Sequence, residues 1–245
     1  MTASTVRLPQ LSPPVVLSVV IPVYNEVRWV KEVLRRVEAS DRLGCNLEIV
    51  VVDDGSTDGT KELLEGVVGE HPNMKLLRHE RNRGKGAALR CGFAAATGAV
   101  VLVQDADLEY DPADYPALLR PILNDAADVV FGARFLGRSH QVLYYWQSVG
   151  NWVLTTVSNR FTNMKLSDLS SCYKVFRREV LDAVTLAEEG FEFDAEVTAK
   201  VARLRARACE VSISYAARTY AEGKKIGWRD GVRALYCVVR YGISD

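Results

Sequence analysis

Three carboxylates alternate in Asp105-Ala106-Asp107-Leu108-Glu109, separated only by Gln104 from the apolar run Ala99 to Val103. If the extended conformation persists, all three project to one side, because strand side chains alternate faces. Such a trio repels itself unless a cation sits between its members. A hard divalent ion, Mg²⁺ or Mn²⁺, suits oxygen ligands and keeps positions for phosphate oxygens. A solvated acidic turn, with Asp111 and Pro112 opening a helix, is the plain alternative, and the position at the end of a buried strand favours the ion. Two more apolar runs stop at polar groups, Ile21-Pro22-Val23-Tyr24-Asn25-Glu26 and Val52-Asp53-Asp54-Gly55-Ser56-Thr57-Asp58. These can hold a planar base and accept hydrogen bonds from ribose hydroxyls. Asp58 as a helix cap and Asp53 to Gly55 as a turn would explain each run separately, but together they favour a nucleotide. Between them and the acidic run lies Arg78-His79-Glu80-Arg81-Asn82-Arg83-Gly84-Lys85-Gly86, a basic, glycine-bearing loop that opens a helix at Ala87. Helix N-terminal amides with Arg and Lys suit a diphosphate. The spacing is neither G-x-G-x-x-G nor G-x-x-x-x-G-K-[ST], which argues against a dehydrogenase or an ATPase.

The elements that must position these groups are legible around them. Val15 to Ile21, Leu47 to Val52, Lys75 to Leu77 and Ala99 to Val103 read as strands, nearly all apolar, as expected of a parallel sheet covered on both faces. Val30, Val33, Leu34 and Val37 recur at helical spacing between the first two, and Ala87, Ala88, Cys91 and Ala95 before the fourth. Residues 15 to 104 are therefore a βαβ series, with its ligand expected beyond the carboxyl ends of the strands. The remainder is more mixed: a helix from about Pro112 to Asn124, a strand from Asp128 to Phe131, a long helix from about Val142 to Phe161, and strands near Tyr173 and Val211. The first fourteen residues read as a loose tail, and 15–245 as one domain, with a nucleotide-side half at 15–110 and a second half at 111–245.

Composition excludes several roles. The 245 residues carry 31 basic and 31 acidic side chains, so the cationic excess of a nucleic-acid binder is missing. The five cysteines are scattered without a C-x-x-C pair, which disfavours a disulfide framework or thiolate zinc site and suggests a reducing cytoplasm. They read as small buried hydrophobes, and His71 and His79 as solvated. The longest apolar stretch, Val15 to Val23, is too short to span a bilayer, and the N-terminus lacks the pattern of a secretory signal.

The runs Val19 to Glu26, Val52 to Asp58, Asn82 to Gly86 and Asp105-Ala106-Asp107, in that order, resemble a family 2 glycosyltransferase of the GT-A fold: a Rossmann-like, open, mostly parallel sheet flanked by helices, with a smaller mixed sheet on the acceptor side. Gly132-Ala133-Arg134, Ser167-Asp168 before Cys172-Tyr173-Lys174, and Arg218 with Glu222-Gly223-Lys224-Lys225-Ile226 resemble the polyprenyl-phosphate branch, the dolichyl-phosphate mannose or glucose synthases. The resemblance implies a nucleoside site at Pro22, Tyr24, Glu26 and Asp54, with Lys85 and Arg218 also on the nucleotide sugar. It implies a divalent ion, Mn²⁺ or Mg²⁺, held with the diphosphate by Asp105 and Asp107; Glu109, the third ligand expected from the alternation, stands where relatives often have Gln. Arg134 and Lys225 would hold phosphate, and Glu196 matches an acidic position beside the acceptor. At the start of the long helix this chain has Tyr144, Tyr145, Trp146 and Gln147 where such synthases carry an Arg and a Ser, with Arg138 and His140 as substitutes.

The implied reaction is inverting transfer of a hexose, mannose or glucose, from GDP-mannose or UDP-glucose to a polyprenyl phosphate. Leaving-group departure is its hard step; a phosphate acceptor is already ionised, which makes Glu196 dispensable as a base. For the lipid, a helix from about Gly227 to Tyr241 places Val232, Leu235, Tyr236 and Val239 on one side and Arg229, Arg233 and Arg240 on another, the pattern of an interfacial helix. Peripheral association with the cytoplasmic face of the membrane is the expectation. The competing readings are a core helix with a basic solvated face, a relative with an alcohol acceptor, and a catalytically silent nucleotide-sugar-binding subunit. A homo-oligomer is compatible with all of them.

Overall fold

The computed structural model describes residues 8–136, 145–217 and 228–243. Seven strands form one sheet in the order β3-β2-β1-β4-β6-β5-β7: β1 Val16–Val23, β2 Asn46–Asp53, β3 Met74–Arg78, β4 Val100–Val103, β5 Val129–Ala133, β6 Lys174–Arg177 and β7 Ala208–Ser212. The first four are mutually parallel, β6 runs antiparallel to β4 and β5, and β7 is parallel to β5. The mixed strands thus continue the parallel sheet. Val19, Val20, Ile21, Ile49, Val50, Val51, Val100, Val101 and Leu102 are fully buried, because helices cover both faces. This is the physical reason that these runs lack polar alternation.

The helices are α1 Val30–Ala39, α2 Thr60–Gly69, α3 Lys85–Ala95, α4 Tyr115–Leu123, α5 Tyr145–Thr162, α6 Arg178–Asp182, α7 Phe193–Arg203 and α8 Trp228–Ile243. α1 buries Val30, Val33, Leu34 and Val37, the spacing read from the sequence. The single helix expected over 112–124 begins as a 3-10 turn, Pro112–Asp114, which Asp111 caps by accepting from the Ala113 amide at 3.0 Å. β5 runs on to Ala133, two residues beyond the sequence expectation, because Gly132 and Ala133 stay paired to β7. Within the expected loose tail, residues 8 to 11 are tied down: Leu8 and Leu11 pack against the core, and the buried Arg177 donates to the Pro9 carbonyl.

Strand order reverses between β1 and β4, so their carboxyl ends open onto the same crevice, the usual ligand position in an open α/β sheet. α5, α7 and α8 pack together beyond the mixed strands, around Leu169, Ala195, Ala199, Cys237, Val238 and Tyr241.

Candidate active site

The loops after β1 and β2 are stitched to each other. The Asn25 amide donates to Ser56 Oγ at 2.9 Å, the Thr57 amide to Asn25 Oδ1 at 2.8 Å, and the Glu26 amide to Thr60 Oγ1 at 3.0 Å. Asn25 itself is left-handed, with φ 51°. Pro22 and Tyr24 are half-buried at this edge and Glu26 is buried. Asp53 accepts from the Ser56 amide at 3.0 Å, which closes the turn after β2.

Asp54, expected to face the nucleoside, is 3 % exposed, and both of its oxygens are engaged by the basic loop. Oδ1 accepts from the Arg83 amide at 3.0 Å and lies 2.6 Å from His79 Nδ1, while Oδ2 accepts from the Gly84 amide at 2.7 Å. The same contact corrects the reading of His79 as solvated. Gly55 is required beside it: its φ is 74°, and a Cβ there would meet the Arg81 and Asn82 backbone.

The N-terminus of α3 is likewise already spent. The Gly86 amide donates to the Gly190 carbonyl at 3.2 Å and the Ala87 amide to the Glu189 carbonyl at 3.1 Å. Lys85 does not reach into solvent either. Its Nζ lies 2.7 and 3.0 Å from the two Asp105 oxygens and 2.9 Å from Cys172 Sγ. Burial opposes the ammonium, but Asp105, Cys172 and Asp194 more than restore it, so Lys85 titrates well above its ordinary range. The Cys172 thiol is pushed up, chiefly by burial. The basic loop therefore holds the acidic turn in place, in contrast to the phosphate cradle that its composition suggested.

β4 ends at Val103, and residues 104–110 turn instead of staying extended, with Leu108 at φ 60°. The three carboxylates consequently do not share one side. Asp107 Oδ1 accepts from the Glu109 amide at 3.2 Å. Glu109 faces Tyr215, whose hydroxyl donates to its Oε2 at 2.8 Å, and its carbonyl accepts from the Ala216 amide at 2.9 Å. Among the described residues no group of three or more His, Cys, Asp and Glu converges as a metal site, so Glu109 is not the third ligand of a preformed cage. Asp105 and Asp107 still offer hard oxygen donors at the sheet edge. One or two carboxylates completed by substrate phosphates is the arrangement that Mg²⁺ or Mn²⁺ adopts with nucleotides, and the residues present fit such an ion.

Two residues expected to act at phosphate or acceptor are tied into the fold. Arg134 makes a bidentate pair with the fully buried Asp168 at 2.6 and 2.7 Å, and its guanidinium lies over the Tyr215 ring at 5.0 Å. Burial opposes its charge, and Tyr110 and Asp168 hold it well above the usual range. Glu196 is fully buried; its oxygens accept from the Ala187 and Glu188 amides at 2.7 and 2.8 Å and from Lys200 Nζ at 2.9 Å. It anchors the backbone at 187–188 from inside the fold. Arg138, His140, Tyr144, Arg218, Glu222, Lys224, Lys225 and Ile226 lie outside the described residues, as do the side chains of Tyr145, Trp146, Gln147 and Arg229.

The sequence reading did not single out Tyr215, the bond of Asp168 to Arg134, or the 187–192 segment under α3. Buried ion pairs between distant positions leave no local spacing signal. The two glycines around Lys85 were the available hint, since a Cβ on either would strike the 188–190 backbone.

α8 divides into three sectors. Cys237, Val238 and Tyr241 face inward and are buried. Val232, Leu235, Tyr236, Val239 and Ile243 form a separate sector that is 59, 36, 65, 36 and 71 % exposed. Arg233 and Arg240 flank it and are also exposed. α8 thus has both a side packed in the core and an exposed apolar side. On α5, Trp152, Val153 and Phe161 are exposed as well, with Phe161 against Gly242 of α8. No helix among the described residues is long and apolar enough to cross a membrane.

Residues 18–185 match the family model described as Glycosyl transferase family 2. The chain is 32 % identical over 210 residues to an undecaprenyl-phosphate 4-deoxy-4-formamido-L-arabinose transferase of Aeromonas hydrophila subsp. hydrophila, covering 85 % of this chain and 62 % of that protein. A protein of the same description from Pseudomonas paraeruginosa is 33 % identical over 211 residues, covering 85 % and 60 %. The chain thus spans about three fifths of the length of these curated relatives. Among solved structures, glucosyl-3-phosphoglycerate synthase from Mycobacterium tuberculosis in complex with UDP superposes with a TM-score of 0.72 at 18 % identity, covering 94 % of this chain and 81 % of that one. Its complex with Mn²⁺, UDP and phosphoglyceric acid gives 0.70 at 18 % identity, covering 94 % and 80 %. At this identity the likeness is one of fold.

Proposed function

The chain belongs to glycosyl transferase family 2, and from that premise we propose that it moves a sugar from a nucleoside diphosphate sugar to a polyprenyl phosphate at a membrane surface. The sugar in this reading is a hexose, from GDP-mannose or UDP-glucose. The relatives described as acting on 4-deoxy-4-formamido-L-arabinose add that sugar to those worth testing. The observation that carries the lipid acceptor is the outward apolar sector of α8 with its flanking arginines, which fits an interfacial helix on anionic lipid.

On the donor side, the stitched loops after β1 and β2 offer Pro22, Tyr24 and Glu26 to the nucleoside. Asp105 and Asp107 would hold the divalent ion, which when bound supplies Lewis-acid stabilisation of the leaving diphosphate. Lys85 pairs with Asp105 and fixes its direction. Tyr215 and Glu109 hold the far side of the same turn, and Arg134, locked by Asp168, stiffens the wall behind it. Positioning of this kind supplies rate without moving a proton. None is needed from the acceptor, since a phosphate monoester is ionised near neutrality. Glu196, fully buried and bonded to two amides and an ammonium, supports that reading over an alcohol acceptor, which would need a base.

The test is incorporation of radiolabel from GDP-mannose, UDP-glucose and a nucleotide-linked 4-formamido-arabinose into polyprenyl phosphate in anionic vesicles, with Mn²⁺ or Mg²⁺ and with chelator. Label in the lipid fraction with one donor, lost with chelator, is the expected result. Label in a water-soluble product alone, or full transfer in chelator, would overturn the lipid acceptor or the ion respectively.

A further inference from the structure

We infer that Tyr241 and Glu188 are positioning residues through which α8 holds the Lys85–Asp105 pair in place, by way of the 187–192 segment. Four side chains close a ring beneath that segment. Tyr241 donates its hydroxyl to Glu188 Oε1 at 2.7 Å, and the Glu188 amide donates to Glu196 Oε2 at 2.8 Å. Glu196 Oε1 accepts from Lys200 Nζ at 2.9 Å, and that ammonium lies over the Tyr241 ring, 5.0 Å from its centroid. Arg240 reinforces the ring with a 3.3 Å contact to Glu188, and Arg203 donates to the Tyr241 carbonyl.

The other edge of the segment bears on the donor side. The Glu189 and Gly190 carbonyls take the Ala87 and Gly86 amides at the start of α3, and Glu189 Oε1 accepts from Arg83 at 2.8 Å. Lys85 sits between those contacts, at the first position of α3, with its Nζ on Asp105. Gly84 and Gly86 press so closely on the 188–190 backbone that neither tolerates a Cβ without displacement. The segment has no regular secondary structure of its own, so its path is fixed by Glu196 and Glu188 from below and by α3 from above. Tyr241 lies on the side of α8 opposite the exposed sector of Val232, Tyr236, Val239 and Ile243, given 3.6 residues per turn. One face of the helix is thus offered to lipid and the other carries the support of the donor turn.

This deepens the donor-site reading and rests on it for the catalytic consequence, while the structural link can be read separately. In the full chain, amide hydrogen exchange at Gly86 and Ala87 is compared in the parent, in Tyr241→Phe and in Glu188→Ala. Exchange at these two amides should become roughly tenfold faster in both variants, with the β1 and β2 amides unaltered. With GDP-mannose or UDP-glucose and Mn²⁺, the donor kcat/KM should fall severalfold while the acceptor KM holds. Unaltered exchange at Gly86 and Ala87 in both variants, or acceleration spread equally over β1 and β2, would overturn the inference, as would an unaltered donor kcat/KM or a rise in the acceptor KM alone. A parent that turns over no donor would count against the proposed function and leave the exchange comparison to decide the link.

Discussion

Asp105 and Asp107 are two residues apart, yet their surroundings give them different work. Asp105 is covered by Lys85 and Cys172, whereas Asp107 uses one oxygen on the Glu109 amide within its own turn. Asp107→Asn preserves that acceptor and removes the charge that the proposed ion would need. Transfer should fall on the order of 100-fold to 1000-fold, with a thermal midpoint within a degree or two of the parent, about what a change below 0.5 kcal/mol produces. Glu196 should behave in the opposite way. Glu196→Gln cannot accept from two amides and an ammonium at once, and it leaves Lys200 with a poorer partner in a buried site. A loss of about 2 to 3 kcal/mol in denaturant unfolding is expected, with the shape of the pH–rate profile unaltered. A lost basic limb or acidic limb of that profile would restore Glu196 as a catalytic base.

At the scale of elements, the amino ends of β1 and β2 are joined to the α3–β4 connection by one carboxylate. Glu48 accepts from Lys75 at 2.7 Å, from the Thr97 amide at 2.7 Å and from Thr97 Oγ1 at 2.9 Å, and it takes the Ser18 hydroxyl as well. Burial alone would raise its pKa, but Lys75, Ser18 and Thr97 together pull it down to about 2. The folded value therefore lies below the unfolded one, near 4.3. The stabilisation is complete above that unfolded value and drains away as the pH falls from there toward 2. Unfolding free energy measured across this window should drop by about 3 kcal/mol more in the parent than in Glu48→Gln. Equal acid sensitivity of the two proteins would show that other carboxylates set the limb. The helices carry the same lesson about local and distant partners. The core stripe of α1 was legible because one helix face fixes it, while the use of α3's N-terminal amides by the 189–190 carbonyls joins positions about a hundred residues apart.

For the whole molecule, the proposed function has a protein with no membrane-crossing helix among its described residues meet a lipid acceptor at the membrane surface. The outward sector of α8 suits the headgroup boundary, and a charge within it should be tolerated by the fold because the position is exposed. Val239→Asp should therefore leave the thermal midpoint near that of the parent and strongly reduce flotation with anionic vesicles. Retained flotation would place the lipid contact elsewhere. The sequence had divided α8 correctly into an apolar side and a basic side. Which side faced the core was decided by a third sector, Cys237, Val238 and Tyr241, packing on α7 and α5.

The amino-acid sequence by itself determined the strands, the βαβ order, the family and the location of the acidic turn at the end of β4, because each is a local property: apolar runs, helical spacing and motifs a few residues long. Tertiary structure alone decided what the polar side chains in those motifs do. Asp54, Lys85, Arg134 and Glu196 all read as ligand-facing, and all four are engaged by other parts of the chain. Burying a charged group is costly unless it is paired and hydrogen-bonded. The partner that meets this need is chosen by which segments the fold brings together, and no spacing along the chain records it.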